Sequence, residues 1–141
     1  MLLAGEEETA PDEEWEDYTG EINYKRVIMN KKIAVPVDEN GILDGHFGHC
    51  KFFAVLSADD KKVVEEKMLV PPPHEPGLLP KWLAGQGVTD VLAGGMGQKA
   101  IQIFNYNEVN VWVGAPLKSA RELADGFLDS SIQFTANYCD H

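Results

Sequence analysis

The sequence predicts a single α/β domain, and three observations lead to this fold class. The chain has 141 residues, which suits one domain of the usual size, roughly 100 to 200 residues. Short apolar segments rich in β-branched residues alternate with segments whose apolar residues recur at helical spacing. From residue 32 onward the order is β-β-β-α-β-α-β-α, which predicts an α/β sandwich with a mixed five-stranded sheet.

The first half of the pattern consists of three strands. Residues 32–37 are apolar and end at the turn residues 38–41, so they form the first strand. Residues 52–56 and 63–70 flank a loop of hairpin length, which predicts that strands two and three pair antiparallel. Three prolines at 71–73 then end the third strand.

The second half of the pattern alternates helices with strands. Residues 78–86 and 98–105 are predicted to be helical, and 88–93 and 109–113 are predicted to be strands. Residues 117–128 place their apolar side chains on one stripe, so they close the pattern as an amphipathic helix.

The composition argues against two classes of function. Asp and Glu number 23 against 12 Lys and Arg, a formal charge of -11 that repels the phosphate backbone of a nucleic acid. No apolar run approaches the roughly 18 residues of a membrane span, so no membrane association is expected. Two distant cysteines, Cys50 and Cys139, form no disulfide framework, which favours a reducing, cytoplasmic compartment.

The negative charge is concentrated in residues 1–29, which hold nine acidic and two basic residues, a net charge of -7. We expect this segment to be a disordered acidic leader, followed by one domain over residues 30–141. An acidic docking arm anchored by Trp15 and Tyr18 is the functional alternative. Met29 directly precedes the first strand, so it is also a candidate for the true start of the protein.

Four loops are predicted to meet at one edge of the sheet. Right-handed crossovers keep the later strands parallel to the first, and the hairpin reverses only the second strand. The shared edge then carries loops 38–50, 71–77, 94–98 and 114–117. Ligands of open α/β sheets bind at the carboxyl ends of parallel strands, so we expect the functional site here.

This edge holds the densest cluster of potential metal ligands. His46, His49 and Cys50 offer two imidazoles and a thiol, which suit iron, zinc or copper. His74 adds a third imidazole on the next loop. The structural alternative is a glycine-rich turn with a buried Phe47 and surface histidines.

Gly95, Met96 and Gly97 open the second predicted helix. Small residues and unpaired N–H groups at this place favour an anion or anionic cluster, and the spacing matches neither a P-loop nor a dinucleotide fingerprint. A tight turn that needs glycine for a positive φ is the structural alternative.

Residues 131–138 alternate in polarity like an edge strand. Eight residues span about 26 Å, enough to climb the sheet. We expect this tail, residues 129–141, to return Cys139 and His141 to the site beside Cys50. A frayed C-terminus is the alternative.

These residues resemble the dinitrogenase iron-molybdenum cofactor biosynthesis family, which includes NifX, the C-terminal domain of NifB and NafY. The resemblance covers the chain from about Met29 onward. The matching features are residues 32–38 as the opening strand, the triplet His46, Phe47 and Gly48, the loop 74–77, the triplet Gly95, Met96 and Gly97, and the helix end at Asp125 and Gly126.

The resemblance implies a ribonuclease H-like three-layer fold and a small stand-alone accessory protein, not an enzyme, that carries an iron-sulfur or iron-molybdenum type cluster as cargo. The implied partners are metallocluster assembly or recipient proteins, and we expect a monomer or weak homodimer. The predicted metal ligands are His46, His49, Cys50, Cys139 and His141. The predicted cofactor-binding residues are His46, Phe47, Gly48, His74, Gly95, Met96 and Gly97.

Two other functions stay open. A ribonuclease H-like nuclease would hold Mg2+ with clustered carboxylates, and Asp38 at the end of the first strand is its first candidate ligand. A thiol redox switch would link Cys50 and Cys139 in a disulfide and needs no metal.

Overall fold

The computed structural model describes residues 30–45, 47–73 and 75–139, and a mixed six-stranded sheet lies at its centre. The strands are β1 (Lys31–Val37), β2 (Phe52–Asp59), β3 (Lys62–Leu69), β4 (Asp90–Leu92), β5 (Asn110–Val113) and β6 (Ala136–Tyr138). The α-helices of these residues are α1 (Leu78–Gly85), α2 (Gln98–Tyr106) and α3 (Ala120–Leu128). The predicted acidic leader, residues 1–29, lies outside the described residues.

The strand order across the sheet is β3-β2-β1-β4-β5-β6. β1 pairs antiparallel with β2 and parallel with β4, and β4 pairs parallel with β5. The predicted antiparallel hairpin of β2 and β3 is confirmed, with a bulge at Ser57 and Ala58. The α/β class and the mixed sheet are therefore confirmed, while the count of five strands is too low because β6 adds a strand beside β5.

Helices cover both faces of the sheet, which gives three layers. On one face α3 packs against a core that includes Ile33, Val35 and Leu56. On the other face α1 and α2 pack against a core that includes Val55 and Val91. Successive strand residues point to opposite faces, so an apolar strand such as β1 supplies both cores.

The helix α3 begins three residues later than its apolar stripe predicts. Ser119 is its N-cap: its Oγ accepts from the backbone N–H of Glu122 at 3.2 Å, and Glu122 Oε1 accepts from the Ser119 N–H at 3.1 Å. This capping box sets the start of the helix at Ala120. Leu117 therefore lies outside the helix and is 77% exposed.

The C-terminal tail follows a path that the alternation of its residues does not reveal. After α3 ends, Ile132 and Phe134 pack on the core beneath α3, and the Thr135 N–H donates to Val113 O at 2.9 Å. The chain then reverses, and β6 descends antiparallel to β5 with Tyr138 opposite Val111 and packed on the other core. The expectation that residues 131–138 form one strand that returns Cys139 to the edge with the four loops is therefore wrong, because the chain reverses direction before β6 begins.

No helix of the described residues is both long enough and apolar enough to cross a membrane.

Candidate functional site

The loops that follow the parallel strands β1, β4 and β5 lie at the same edge of the sheet as the loop that follows β3. The Leu43 N–H donates to Lys118 O at 3.0 Å, which joins the loop after β1 to the loop after β5. A Cβ built on Gly94, after β4, would lie 3.7 Å from the Cα of Gly45. These loops therefore form one continuous surface at the predicted edge, and their backbones approach closely where both residues are glycine.

A cavity of about 260 Å³ opens at this edge between the loop before β2 and the loop after β3. We call it the loop pocket. Its lining combines a thiol, an imidazole, an ammonium group and a carboxylate with a wall of prolines. The lining residues are Gly48, His49, Cys50, Lys51, Val70, Pro71, Pro72, Pro73, Glu75 and Leu79.

Phe47 positions the turn that precedes Cys50. It begins a 3-10 turn, Phe47–His49, and its side chain is buried in the core. Its ring makes edge-to-face contacts with Phe53, at 5.6 Å between centroids, and with Phe104, at 5.7 Å. Such pairs add to the stabilisation from burial, so Phe47 anchors the turn from below.

Cys50 is buried directly after this turn, with 8% of its surface exposed. Its Sγ donates to the Phe47 carbonyl oxygen at 3.5 Å. Burial, with a further contribution from the negative charge of Asp44, raises the pKa of the Cys50 thiol to about 12. The thiol is therefore protonated at neutral pH, and a metal that binds the sulfur must displace the proton.

The other groups of the loop pocket are more exposed. His49 has an exposed side chain and lines the pocket beside Cys50. Lys51 Nζ forms an ion pair with Glu39 Oε2 at 3.3 Å, and this pair links both ends of the loop that follows β1. Because both partners are more than 60% exposed, the pair adds little stability.

The glycine-rich loop after β4 lies next to the turn but does not line the loop pocket. Met96 is half-buried and packs on the same core as Phe47 and Cys50. Gly95 and Gly97 are exposed, and Gly97 is the N-cap of α2 without a side-chain cap. Gly97 therefore supplies no side chain to cap the first-turn N–H groups of α2.

Cys139 lies at the opposite edge of the sheet from Cys50. It directly follows β6 and interacts electrostatically with Asp90 and Lys31, where β4 and β1 begin. Burial and then Asp90 raise the pKa of its thiol, while Lys31 lowers it. β2, which Cys50 precedes, is four strand spacings from β6, about 19 Å. A disulfide needs Cα atoms within about 7 Å, so neither the shared ligand site nor the redox switch forms within this fold.

The carboxylates that a nuclease would need are committed to structural contacts or are far apart. Asp38 Oδ1 accepts from the backbone N–H groups of Asn40 at 2.8 Å and Ile42 at 3.1 Å, which closes the turn after β1. Asp90 is 1% exposed, lies at the opposite edge and accepts from Asn110 Nδ2 at 3.1 Å and Trp112 Nε1 at 3.2 Å. These contacts make both carboxylates structural.

Among the predicted ligands, His46, His74 and His141 lie outside the described residues. Within residues 30–45, 47–73 and 75–139, no group of three or more His, Cys, Asp or Glu side chains is arranged to hold a metal ion. Sequence reasoning missed the two charged residues of the loop pocket as site residues, Lys51 and Glu75. Their adjacency to Cys50 and His74 in the sequence is the signal that could have identified them.

The two thiols should differ strongly in reactivity. In the native apo protein at pH 8, we expect iodoacetamide to alkylate Cys139 at least about tenfold faster than Cys50, because the thiolate is the reactive form and Cys50 is buried. The Cys50 rate should stay low at neutral pH, because burial raises the pKa of its thiol to about 12 and little thiolate is present. Peptide mass spectrometry of timed samples measures both rates, with urea-unfolded protein as the control. Equal native rates would contradict the buried position of Cys50.

The fold and the loop pocket together define a small α/β protein with a thiol and an imidazole at the carboxyl edge of a mixed sheet. The chain belongs to the dinitrogenase iron-molybdenum cofactor family, whose model matches residues 29–130. The match ends before β6 and Cys139. No curated protein sequence matches the chain.

Solved structures of similar proteins support the fold. The apo form of the orange protein from Desulfovibrio gigas is 23% identical, with a TM-score of 0.63 over 75% of this chain and 93% of that one. A Methanocaldococcus jannaschii protein named for dinitrogenase is 16% identical, with a TM-score of 0.61 over 77% and 97%. A Thermotoga protein named for NifB and assigned to the DUF35 family is 15% identical, with a TM-score of 0.58 over 74% and 92%.

Proposed function

We propose that this protein binds and carries an iron-sulfur or iron-molybdenum type metallocluster, or a precursor of one, without catalysing a reaction on it. The observation that carries the proposal is the loop pocket, which places the Cys50 thiol beside the His49 imidazole in a chain of the dinitrogenase cofactor family. Thiolates and imidazoles are ligands that iron and copper accept readily. The cluster is cargo, and the protein supplies a surface that holds it.

The chemistry of the pocket suits reversible loading. The pKa of Cys50 is about 12, so binding of a metal at the sulfur releases a proton, and acidification favours release of the cargo. Lys51 contributes a positive charge to the lining of the pocket, and α2 begins on the neighbouring glycine-rich loop, whose N-cap Gly97 has no capping side chain. Both features favour an anionic cluster.

We retain His46 and His74 as further ligand candidates. In the sequence, His46 directly precedes the turn Phe47–His49, and His74 lies between Pro73 and Glu75, which both line the loop pocket. Gly48 lines the pocket, and we assign Gly95, Met96 and Gly97 to a supporting loop. The ribonuclease H-like classification also stays a prediction. Metallocluster assembly or recipient proteins are the expected partners, and a cytoplasmic location is expected.

Anaerobic reconstitution tests the proposal. We expect the reduced full-length protein, incubated with ferrous iron and sulfide, with or without tetrathiomolybdate, to retain metal and cluster absorbance after desalting. Metal analysis and visible spectroscopy measure the loading, and circular dichroism shows whether the protein is folded. A folded protein that retains no metal under either condition would contradict the carrier function.

A further inference from the structure

The outer edge of β3 is the longest open strand edge of the described sheet. β3 ends the strand order and pairs, within the described residues, only with β2. Its side chains are exposed: Val64 by 65%, Met68 by 47%, Glu65 by 56% and Lys67 by 61%. An open edge that carries exposed apolar residues is a template for pairing with another strand. The other end strand, β6, has only three residues.

A second copy of the chain is the simplest partner for such an edge, and symmetry restricts how it can pair. Two identical antiparallel strands related by a two-fold axis contact each other with the same residues. Neighbouring residues in a strand direct their backbone groups to opposite sides, so only residues of the same parity can face each other. One residue of β3 must therefore face its own copy.

Val64 is the extra residue of the bulge and has no partner on β2, so β3 is regular only from Glu65 to Leu69. Within this stretch, only the register centred on Glu66 places opposite charges across from each other: Glu65 faces Lys67 of the second copy, and this pair occurs twice. Opposite charges across strands are stabilising.

The neighbouring registers pair the same residues unfavourably. Centring on Lys67 places Glu66 opposite Met68 and Lys67 opposite its own copy, and centring on Met68 places Lys67 opposite Leu69. The charges on β3 thus disfavour these registers and favour the register centred on Glu66.

We propose that the protein self-associates through β3, antiparallel and centred on Glu66, so that one sheet runs through both copies. Two features keep the association weak. The bulge at Val64 limits the regular pairing to a short stretch, and Glu66 faces Glu66 on the axis. Each chain also carries a formal charge of -11, which opposes association.

Charge-reversal variants test this register. In sedimentation equilibrium of the full chain at concentrations up to about 1 mM, a range that detects weak complexes, we expect the average mass to rise above 15.6 kDa toward that of a dimer. Glu65→Lys and Lys67→Glu should each weaken association at least tenfold, because each places like charges opposite each other twice. An equimolar mixture of the two variants should associate at least as strongly as the wild type, because every facing pair is then opposite in charge.

Two further variants separate pairing from net charge. Lys62→Glu changes the charge by the same amount as Lys67→Glu but lies beyond the bulge at Val64, outside the regular pairing, so it should weaken association less. Glu66→Gln removes the repulsion on the axis and should strengthen association several-fold. A wild type that stays monomeric at every concentration would overturn the proposal. So would a mixture of Glu65→Lys and Lys67→Glu that fails to associate while circular dichroism shows both variants folded.

Discussion

Replacement of Cys50 by serine is expected to remove most of the cluster absorbance that the reconstituted protein retains. A thiolate binds iron far better than a serine hydroxyl, and Cys50 is the only thiol in the described lining of the loop pocket. The serine hydroxyl can still donate to the Phe47 carbonyl, so the turn should keep its conformation. We expect retained iron to fall at least about tenfold, measured by metal analysis after desalting.

Cys139→Ser is the matched control, because it removes the other thiol at the opposite edge of the sheet. It should leave loading within about twofold of the wild type if the loop pocket alone holds the cargo. His49→Ala should weaken retention by a smaller factor, and Asp38→Asn should leave it unchanged because Asp38 closes a turn. If Cys139→Ser abolishes loading and Cys50→Ser does not, the site lies at the other edge and the assignment of the loop pocket is wrong.

Gly126→Ala is expected to destabilise the protein although the substitution lies within a helix. Alanine is normally favoured over glycine in a helix by about 1 kcal/mol. Here a Cβ on Gly126 would overlap the Ile132 side chain, where the returning tail crosses α3 and the Ile132 N–H donates to Gly126 O at 3.2 Å. Overpacking of this kind costs about 1 to 3 kcal/mol, so after the helix-propensity gain we expect a net loss of unfolding free energy of about 1 kcal/mol.

Gly85→Ala is the control for helix propensity, because Gly85 ends α1 and a Cβ there would meet nothing within 4 Å. It should be neutral or slightly stabilising. Urea unfolding followed by circular dichroism measures both variants. Stabilisation by Gly126→Ala of the size seen for Gly85→Ala would show that the tail does not pack across α3.

The placement of the loops could be predicted because it depends on rules that act along the chain. Apolar runs and turn residues identified the first five strands, and the handedness of crossovers brought the loops with His49 and Cys50 to one edge. The capping box of Ser119 was also present in the sequence, but the apolar stripe that begins at Leu117 predicted a helix start three residues too early. Leu117 shows that an apolar residue at helical spacing need not belong to the helix.

The sequence by itself determined the α/β class, the antiparallel hairpin and the position of His49 and Cys50 at the loop edge. Only the tertiary structure decided the position of Cys139 and the burial of Cys50. Alternating residues from Ile132 to Tyr138 are compatible with one strand, but Ile132 packs on one face of the sheet and Tyr138 on the other. The direction of the tail depends on Gly126 and Thr135, whose contacts with distant residues leave no periodic signal in the sequence.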